Sequence, residues 1–215
     1  MTTSPKGWAF GAERTRPEPR KRAEWLRNPR RDEALKPEEV VAALRLEPGQ
    51  FVADIGSGPG YFTLPFARAV GPAGRVYGVD IEPHFLSELE RLAGLSDLSN
   101  VVPVLTAPDS PGLPPASVNL AFFCSVYRHI ADRADYLRKL RSCLKPGGRI
   151  AILEWRKTDT LRGELRLSNK KVGPPEAGKI DPEQVVRELQ EAGFTVLEQP
   201  EFLDYHFFVI AGLER

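Results

Sequence analysis

From residue 37 onward, short apolar runs alternate with stretches whose apolar positions recur at helical spacing. Val40, Val41, Leu44 and, after a turn, Leu46 mark a helix opened by Pro37. The run over 51–55 is apolar and stops at a cluster of glycines, which is the signature of a buried strand meeting a tight turn. Tyr61, Phe62, Leu64, Phe66, Ala67 and Val70 then return to helical spacing. A second strand is expected over 75–79, ending at Asp80, and a helix over 83–92. Strands follow at 101–105 and 118–123; the latter is nearly all apolar, which places it near the middle of a sheet. A helix over 133–144 is expected to stop at Lys145-Pro146-Gly147-Gly148, with a strand at 149–154. Asp181-Pro182 opens the last helix, Gly193 closes it, and strands at 194–196 and 205–210 finish the pattern.

Repeated βα units imply an α/β fold: a doubly wound, mostly parallel, seven-stranded sheet. The short link at 198–203 makes the last two strands an antiparallel pair. With 215 residues, the chain can hold one domain with a real core, and 37–215 reads as that domain. Residues 1–36 differ. They carry ten Lys/Arg against five acids, and prolines 5, 17, 19 and 29 interrupt any long helix. Two readings stand side by side: a solvated basic arm, or a cap in which Trp8, Phe10, Trp25 and Leu26 pack over a pocket. The acids interleaved with the basic residues count against a nucleic-acid arm.

Bulk composition adds bounds. Net charge is +1, so no global field draws the chain to nucleic acid or membrane. No apolar run approaches the roughly 18 residues of a membrane span, and the N-terminus has no apolar segment of a secretory leader. The two cysteines, Cys124 and Cys143, have no metal-ligand spacing and read as reduced thiols in or near the core. These features point to a cytoplasmic enzyme.

Chemistry concentrates at 54–60, Asp-Ile-Gly-Ser-Gly-Pro-Gly. Glycines there permit a tight turn and close backbone approach to a ligand. A dinucleotide fingerprint places its third glycine one residue later and does not carry an acid two residues before the first. Asp54 would repel a pyrophosphate but welcome a cationic ligand. Asp80, twenty residues after Gly60 at a strand end, suits the two hydroxyls of a ribose.

Asp54 to Gly60, Asp80 after the second strand and Leu144-Lys145-Pro146-Gly147-Gly148-Arg149 before the fifth together resemble a class I S-adenosylmethionine-dependent methyltransferase. The resemblance covers about residues 37–213 and is nearest to the small-molecule type of ubiquinone and menaquinone biosynthesis. It implies S-adenosylmethionine as cofactor, and with no appended recognition domain visible the expected reaction is methyl transfer to O, N or C of a small-molecule acceptor. It implies that Gly56, Ser57, Gly58 and Gly60 lie against the amino acid part of the cofactor, with Asp54 holding its ammonium. Asp80 would take the ribose hydroxyls, Ile81 would pack on the adenine, and Asp109 would bind the adenine amine. Cys124 would line the methionine side. Asn119, where relatives often carry Asp, would affect packing only.

For the acceptor, His129 just past the fourth strand is a candidate general base, or else a helix cap. Tyr127 lies in the same segment. Glu154 and Trp155 end the fifth strand at the carboxyl edge, where α/β folds bind ligands, and His206 in the last strand could reach the pocket. The segment 156–179 carries seven Lys/Arg against three acids and reads as a solvated loop or as a lid favouring an anionic acceptor. No metal box is visible. The sequence leaves open a methyltransferase acting on RNA or protein through the basic arm, a non-catalytic cofactor-binding module, and a nicotinamide-dependent oxidoreductase.

Overall fold

Runs of valine, isoleucine and phenylalanine become strands because branched and aromatic side chains pack well on a pleated surface. In a computed structural model of the chain, which describes residues 18, 26, 31–157 and 174–213, seven strands form one sheet. They are β1 (Phe51–Ile55), β2 (Arg75–Asp80), β3 (Val101–Leu105), β4 (Val118–Cys124), β5 (Leu144–Trp155), β6 (Phe194–Glu198) and β7 (His206–Leu213), in the order β3-β2-β1-β4-β5-β7-β6. The first five strands run parallel to one another. β7 inserts between β5 and β6 and is antiparallel to both. This is the expected α/β architecture, with β4 central.

The described helices are α1 (Asp32–Leu35), α2 (Pro37–Leu44), α3 (Thr63–Val70), α4 (Pro83–Leu95), α5 (Arg133–Cys143) and α6 (Pro182–Glu191). Helices cover both faces of the sheet, so its central strands are apolar on both sides. On one face, Leu44 of α2 and Phe66 and Val70 of α3 pack on Val52, Val76, Leu120, Phe122 and Leu153. On the other, Leu137 and Leu140 of α5 and Val185 and Leu189 of α6 pack on Ala53, Phe123, Ile150 and Ile152. Phe122 is the hub of an aromatic cluster, with Phe62 at 4.9 Å and Phe66 at 5.0 Å between ring centroids. Such contacts add about 0.5–1.5 kcal/mol each beyond the area they bury.

One boundary differs from the sequence pattern. The turn expected at 145–148 lies within β5. Val118 pairs with Leu144 and the next register pair is Leu120 with Arg149, so the four residues 145–148 stand opposite Asn119 alone. Gly147 supplies the left-handed φ of +73° that the bulge requires. Asn119 Oδ1 accepts from Phe51 N (2.8 Å) and from Lys145 Nζ (3.3 Å), which ties the start of β1 to β4 and to this bulge. Its work is structural.

Of the N-terminal residues expected to form a cap, Trp8, Phe10 and Trp25 lie outside the described residues, as does 158–173 of the charged loop. Leu26 is described and half-buried.

Candidate active site

β1 delivers Asp54 and then must turn sharply at the carboxyl edge of the sheet. Gly56 turns with φ +70°, and a Cβ on it would sit 2.3 Å from Val126 Cγ2, so only glycine fits beneath the segment that follows β4. Gly60 (φ +97°) lies against Leu89 of α4 in the same way, at 2.5 Å. The amides of Gly56 and Ser57 both donate to Val79 O, at 2.7 and 3.0 Å, and lock the turn onto the end of β2.

That lock brings Asp80 to the glycines. Its Oδ2 accepts from Gly58 N at 2.8 Å and its Oδ1 from Glu82 N at 2.9 Å. Two backbone donors hold the carboxylate as an acceptor with a fixed orientation, and carboxylate oxygens can accept further bonds. Asp54 is buried behind it and takes a 2.6 Å bond from Thr63 Oγ1. Burial first, and then the like charge of Asp80, push the Asp54 carboxyl up from 3.8 to about 7, against the opposing Thr63 bond. Two acids at one edge, one of them already near neutrality, form a site that gains from a cation.

Beside Asp80 the chain exposes apolar surface. Ile81 is 38% exposed and Leu105, the register partner of Asp80 at the end of β3, is 60% exposed. The pair forms an apolar lip next to a carboxylate, which suits a flat aromatic base. Leu105 was not singled out in the sequence because a strand-end leucine carries no motif. Asp109 lies in an exposed turn four residues past β3, where its carbonyl accepts from Lys139 Nζ at 2.9 Å. Ser57 and Cys124 are near the turn, and burial pushes the Cys124 thiol up to about 12.

β4 ends in a strained residue. Ser125 has φ +58°, uncommon for a residue with a Cβ, and its amide donates to Leu153 O at 2.9 Å. The strain redirects the chain so that Val126 covers Gly56 and a short 3-10 turn forms at Tyr127–His129. His129 is half-buried in that turn. Tyr127 points into the core instead. Its side chain is fully buried and its hydroxyl donates to Glu188 Oε2 of α6 at 2.7 Å.

Glu154 is fully buried and paired with Arg128, whose Nη1 lies 2.5 Å from Oε2 and whose amide donates to Oε1 at 3.2 Å. Burial pushes its carboxyl up and Arg128 pulls it down. Its oxygens are therefore engaged in holding Arg128. Trp155 and His206 are register partners across β5 and β7, with ring centroids 4.1 Å apart. His206 is 1% exposed, and neither ring nitrogen has a well-formed hydrogen bond. Burial, and then the charges of Arg31, Arg128 and Arg156, bring it down to about 3, with the Ala34 backbone opposing. The imidazole is neutral.

Leu26, Arg31 and Asp32 lie against this edge. Arg31 lies over the Tyr61 ring, 4.6 Å from its centroid, and Tyr61 OH bonds Asp32 Oδ1 at 2.5 Å. Leu26 reaches Gly58, where a glycine Cβ would be 3.4 Å from its Cδ1. Arg31, Tyr61 and Arg128 carry no sequence motif; only the fold puts them here. Among the described residues no group of three or more His, Cys, Asp or Glu side chains could hold a metal, and no helix is long and apolar enough to cross a membrane.

Comparison with known proteins shows what the chain is similar to. Residues 53–150 match the model of a family described as a methyltransferase domain. The chain is 34% identical over 110 residues to the ubiquinone/menaquinone biosynthesis C-methyltransferase UbiE of Pasteurella multocida, covering 51% of this chain and 41% of that protein. It is 28% identical over 153 residues to the arsenite methyltransferase of Halobacterium salinarum, covering 71% of this chain and 39% of that protein. The chain thus spans well under half the length of these curated relatives. A SAM-dependent methyltransferase structure from Aquifex aeolicus superposes with a TM-score of 0.80 at 25% identity, over 92% of this chain and 99% of that one.

Proposed function

We propose, on the premise that this chain is built on a class I S-adenosylmethionine-dependent methyltransferase domain, that it moves a methyl group to a small-molecule acceptor. The observation that carries the reading is the pair of buried acids around the glycine turn. Asp80, fixed by the amides of Gly58 and Glu82, is set to accept the ribose hydroxyls. Asp54, raised toward neutrality by burial, is relieved by the ammonium of the cofactor's amino acid part. Ile81 and Leu105, both exposed, would offer the apolar surface for adenine, and the main chain of Gly56 to Gly60 would hold the methionine portion.

S-adenosylmethionine supplies an activated methyl on a sulfonium, so the chain need not provide a nucleophile. Its residues hold the acceptor in line and exclude water, and such orientation is worth about 7–11 kcal/mol of the barrier. His129 is the candidate to receive a proton where the acceptor must lose one. UbiE relatives point to a small organic acceptor. Arsenite, the substrate in the name of the halophile's enzyme, is soft and calls for converging thiols. Here Cys124 ends β4 while Cys143 N-terminally precedes Leu144 opposite Val118 at its start. Six strand residues separate them, roughly 20 Å. An organic acceptor is the better fit.

Calorimetric titration with S-adenosylhomocysteine tests the reading. The wild-type chain should bind it and should ignore NAD. Asp80→Ala should weaken binding at least about tenfold, since hydrogen bonds to a charged acceptor are worth about 1.5–3 kcal/mol each. Circular dichroism should show the fold intact. Stabilisation by NAD alone, or unchanged affinity in Asp80→Ala, would sink the assignment.

A further inference from the structure

Asp54 sits behind the glycine turn in surroundings that work against its charge. It is buried, and Asp80 faces it from the end of β2. A buried carboxyl beside a like charge tends to take up a proton, and a protonated acid cannot pair with an ammonium as an ion. Among the described residues, the groups that favour the ionised form of Asp54 both belong to Thr63, its hydroxyl and its amide.

Three features place Thr63 for this. It opens α3, so its amide stands in the first turn, where no helical carbonyl takes it and the helix dipole favours a negative charge. Its hydroxyl donates to Asp54 Oδ2 at 2.6 Å, and both side chains are buried. Its methyl packs over Gly78, the register partner of Asp54 in β2. A Cβ on Gly78 would lie 3.5 Å from Thr63 Cγ2 and 2.3 Å from Leu89 Cδ2, so the glycine leaves the hollow that these side chains fill. A β-branched side chain is stiff at χ1, and with the methyl over Gly78 the hydroxyl is directed at Asp54. Gly60 O accepts from Leu64 N at 3.2 Å, which joins this first turn to the glycine loop. The remaining titratable neighbour is Cys124 at the end of β4, whose thiol burial keeps protonated. Arg31 and Glu154, the latter paired with Arg128, act on Cys124 from beyond it.

We propose that Thr63 is a positioning residue for the methyl donor: its hydroxyl, fixed by the packing over Gly78, holds Asp54 as a carboxylate for the donor's ammonium. Thr63 touches Asp54 and not the cofactor. The inference rests on the methyltransferase reading and deepens it. Taking away the hydroxyl removes a bond that favours the charged form, so Asp54 stays protonated to higher pH and the ammonium meets a neutral acid.

The test is calorimetry on the full chain with two ligands, S-adenosylhomocysteine and 5′-methylthioadenosine, which keeps the adenine and ribose but lacks the amino acid part. At pH 7.5 the wild-type chain should bind the first at least about tenfold more tightly, because only it brings the charged partner of Asp54. Thr63→Val keeps the shape and drops the hydroxyl. It should move the midpoint of the S-adenosylhomocysteine profile up by about one pH unit, a loss of about fivefold or more at pH 6.5. Its affinity for 5′-methylthioadenosine should stay within about twofold of wild type, and Thr63→Ser should follow wild type for both ligands. In an Asp54→Asn background, Thr63→Val should change S-adenosylhomocysteine affinity by less than about twofold, since the charge it acts on is gone. Thr63→Ala, which also lacks the hydroxyl, repeats the measurement should valine pack badly. An unmoved profile, an equal loss for both ligands, an undiminished loss in the Asp54→Asn background, or equal wild-type affinity for the two ligands overturns the inference alone. Failure of the wild-type chain to bind either ligand overturns the methyltransferase reading and this inference with it.

Discussion

Asp54 shows how one residue can be identified from sequence while its behaviour is not. The acid two positions before Gly56 argued for a cationic ligand, but its titration depends on burial beside Asp80, which no local pattern reveals. Its carboxyl titrates near 7 in the fold and near 3.8 in an open chain. Between those values the native state holds more protons than the unfolded state. The ligand-free protein therefore loses stability as pH rises from about 4 to about 7. A bound ammonium reverses the preference, because it favours the ionised form. Affinity for S-adenosylmethionine should rise between pH 5.5 and 7, by up to about tenfold per pH unit, and level off near 7.5. Asp54→Asn should flatten that profile in calorimetric titrations. A slope surviving in Asp54→Asn would mean another group is responsible.

Among elements, the segment after β4 does the most to shape the site. Strain at Ser125 turns the chain, Val126 covers Gly56, and the 3-10 turn is then anchored to α6. The anchor is Glu188, which accepts from Tyr127 OH (2.7 Å), from Arg133 Nε and Nη2 (both 2.8 Å) and from Gln184 Nε2 (2.9 Å). Its neighbours hold the Glu188 carboxyl below its ordinary range despite partial burial. Tyr127→Phe removes one bond to a charged acceptor and should cost about 1.5–3 kcal/mol in denaturant unfolding. Glu188→Ala should cost more, because Tyr127 and Arg133 lose their partner together. Both should leave the glycine turn able to bind S-adenosylhomocysteine. If Tyr127→Phe were as stable as wild type and lost an acceptor instead, Tyr127 would belong to the substrate site and not to this anchor.

At the level of the whole molecule, the strand order reverses between β1 and β4, and the site lies outside the carboxyl ends of those strands. Open α/β sheets bind ligands at that reversal because neighbouring loops diverge there to opposite faces and leave a crevice. Net charge on the molecule is +1, with thirty basic residues nearly balanced by twenty-nine acids. Association with nucleic acid is driven mainly by phosphate contacts and weakens steeply with salt. Retention of the chain on immobilised RNA should accordingly be negligible at about 0.15 M salt. Strong retention that is lost in a chain lacking residues 1–30 would redirect the acceptor from a small molecule to a nucleic acid.

The order of strands and helices and the mostly parallel sheet were legible from residues 37 onward. Apolar periodicity, glycine and proline boundaries and the spacing from Gly60 to Asp80 are local properties, and local properties are written along the chain. The strand over 144–155 was misread only where the bulge opposite Asn119 absorbs the glycines, since a bulge is defined by the partner strand. Arg31, Leu105, Arg128 and the unsatisfied ring of His206 could not be read in the same way. They come together from separate elements, and burial and field depend on all of those elements at once. Sequence alone determined the fold, because strand and helix periodicity and glycine turns are local; tertiary packing decided which side chains are buried and which charges meet, because burial and field depend on elements far apart in the chain.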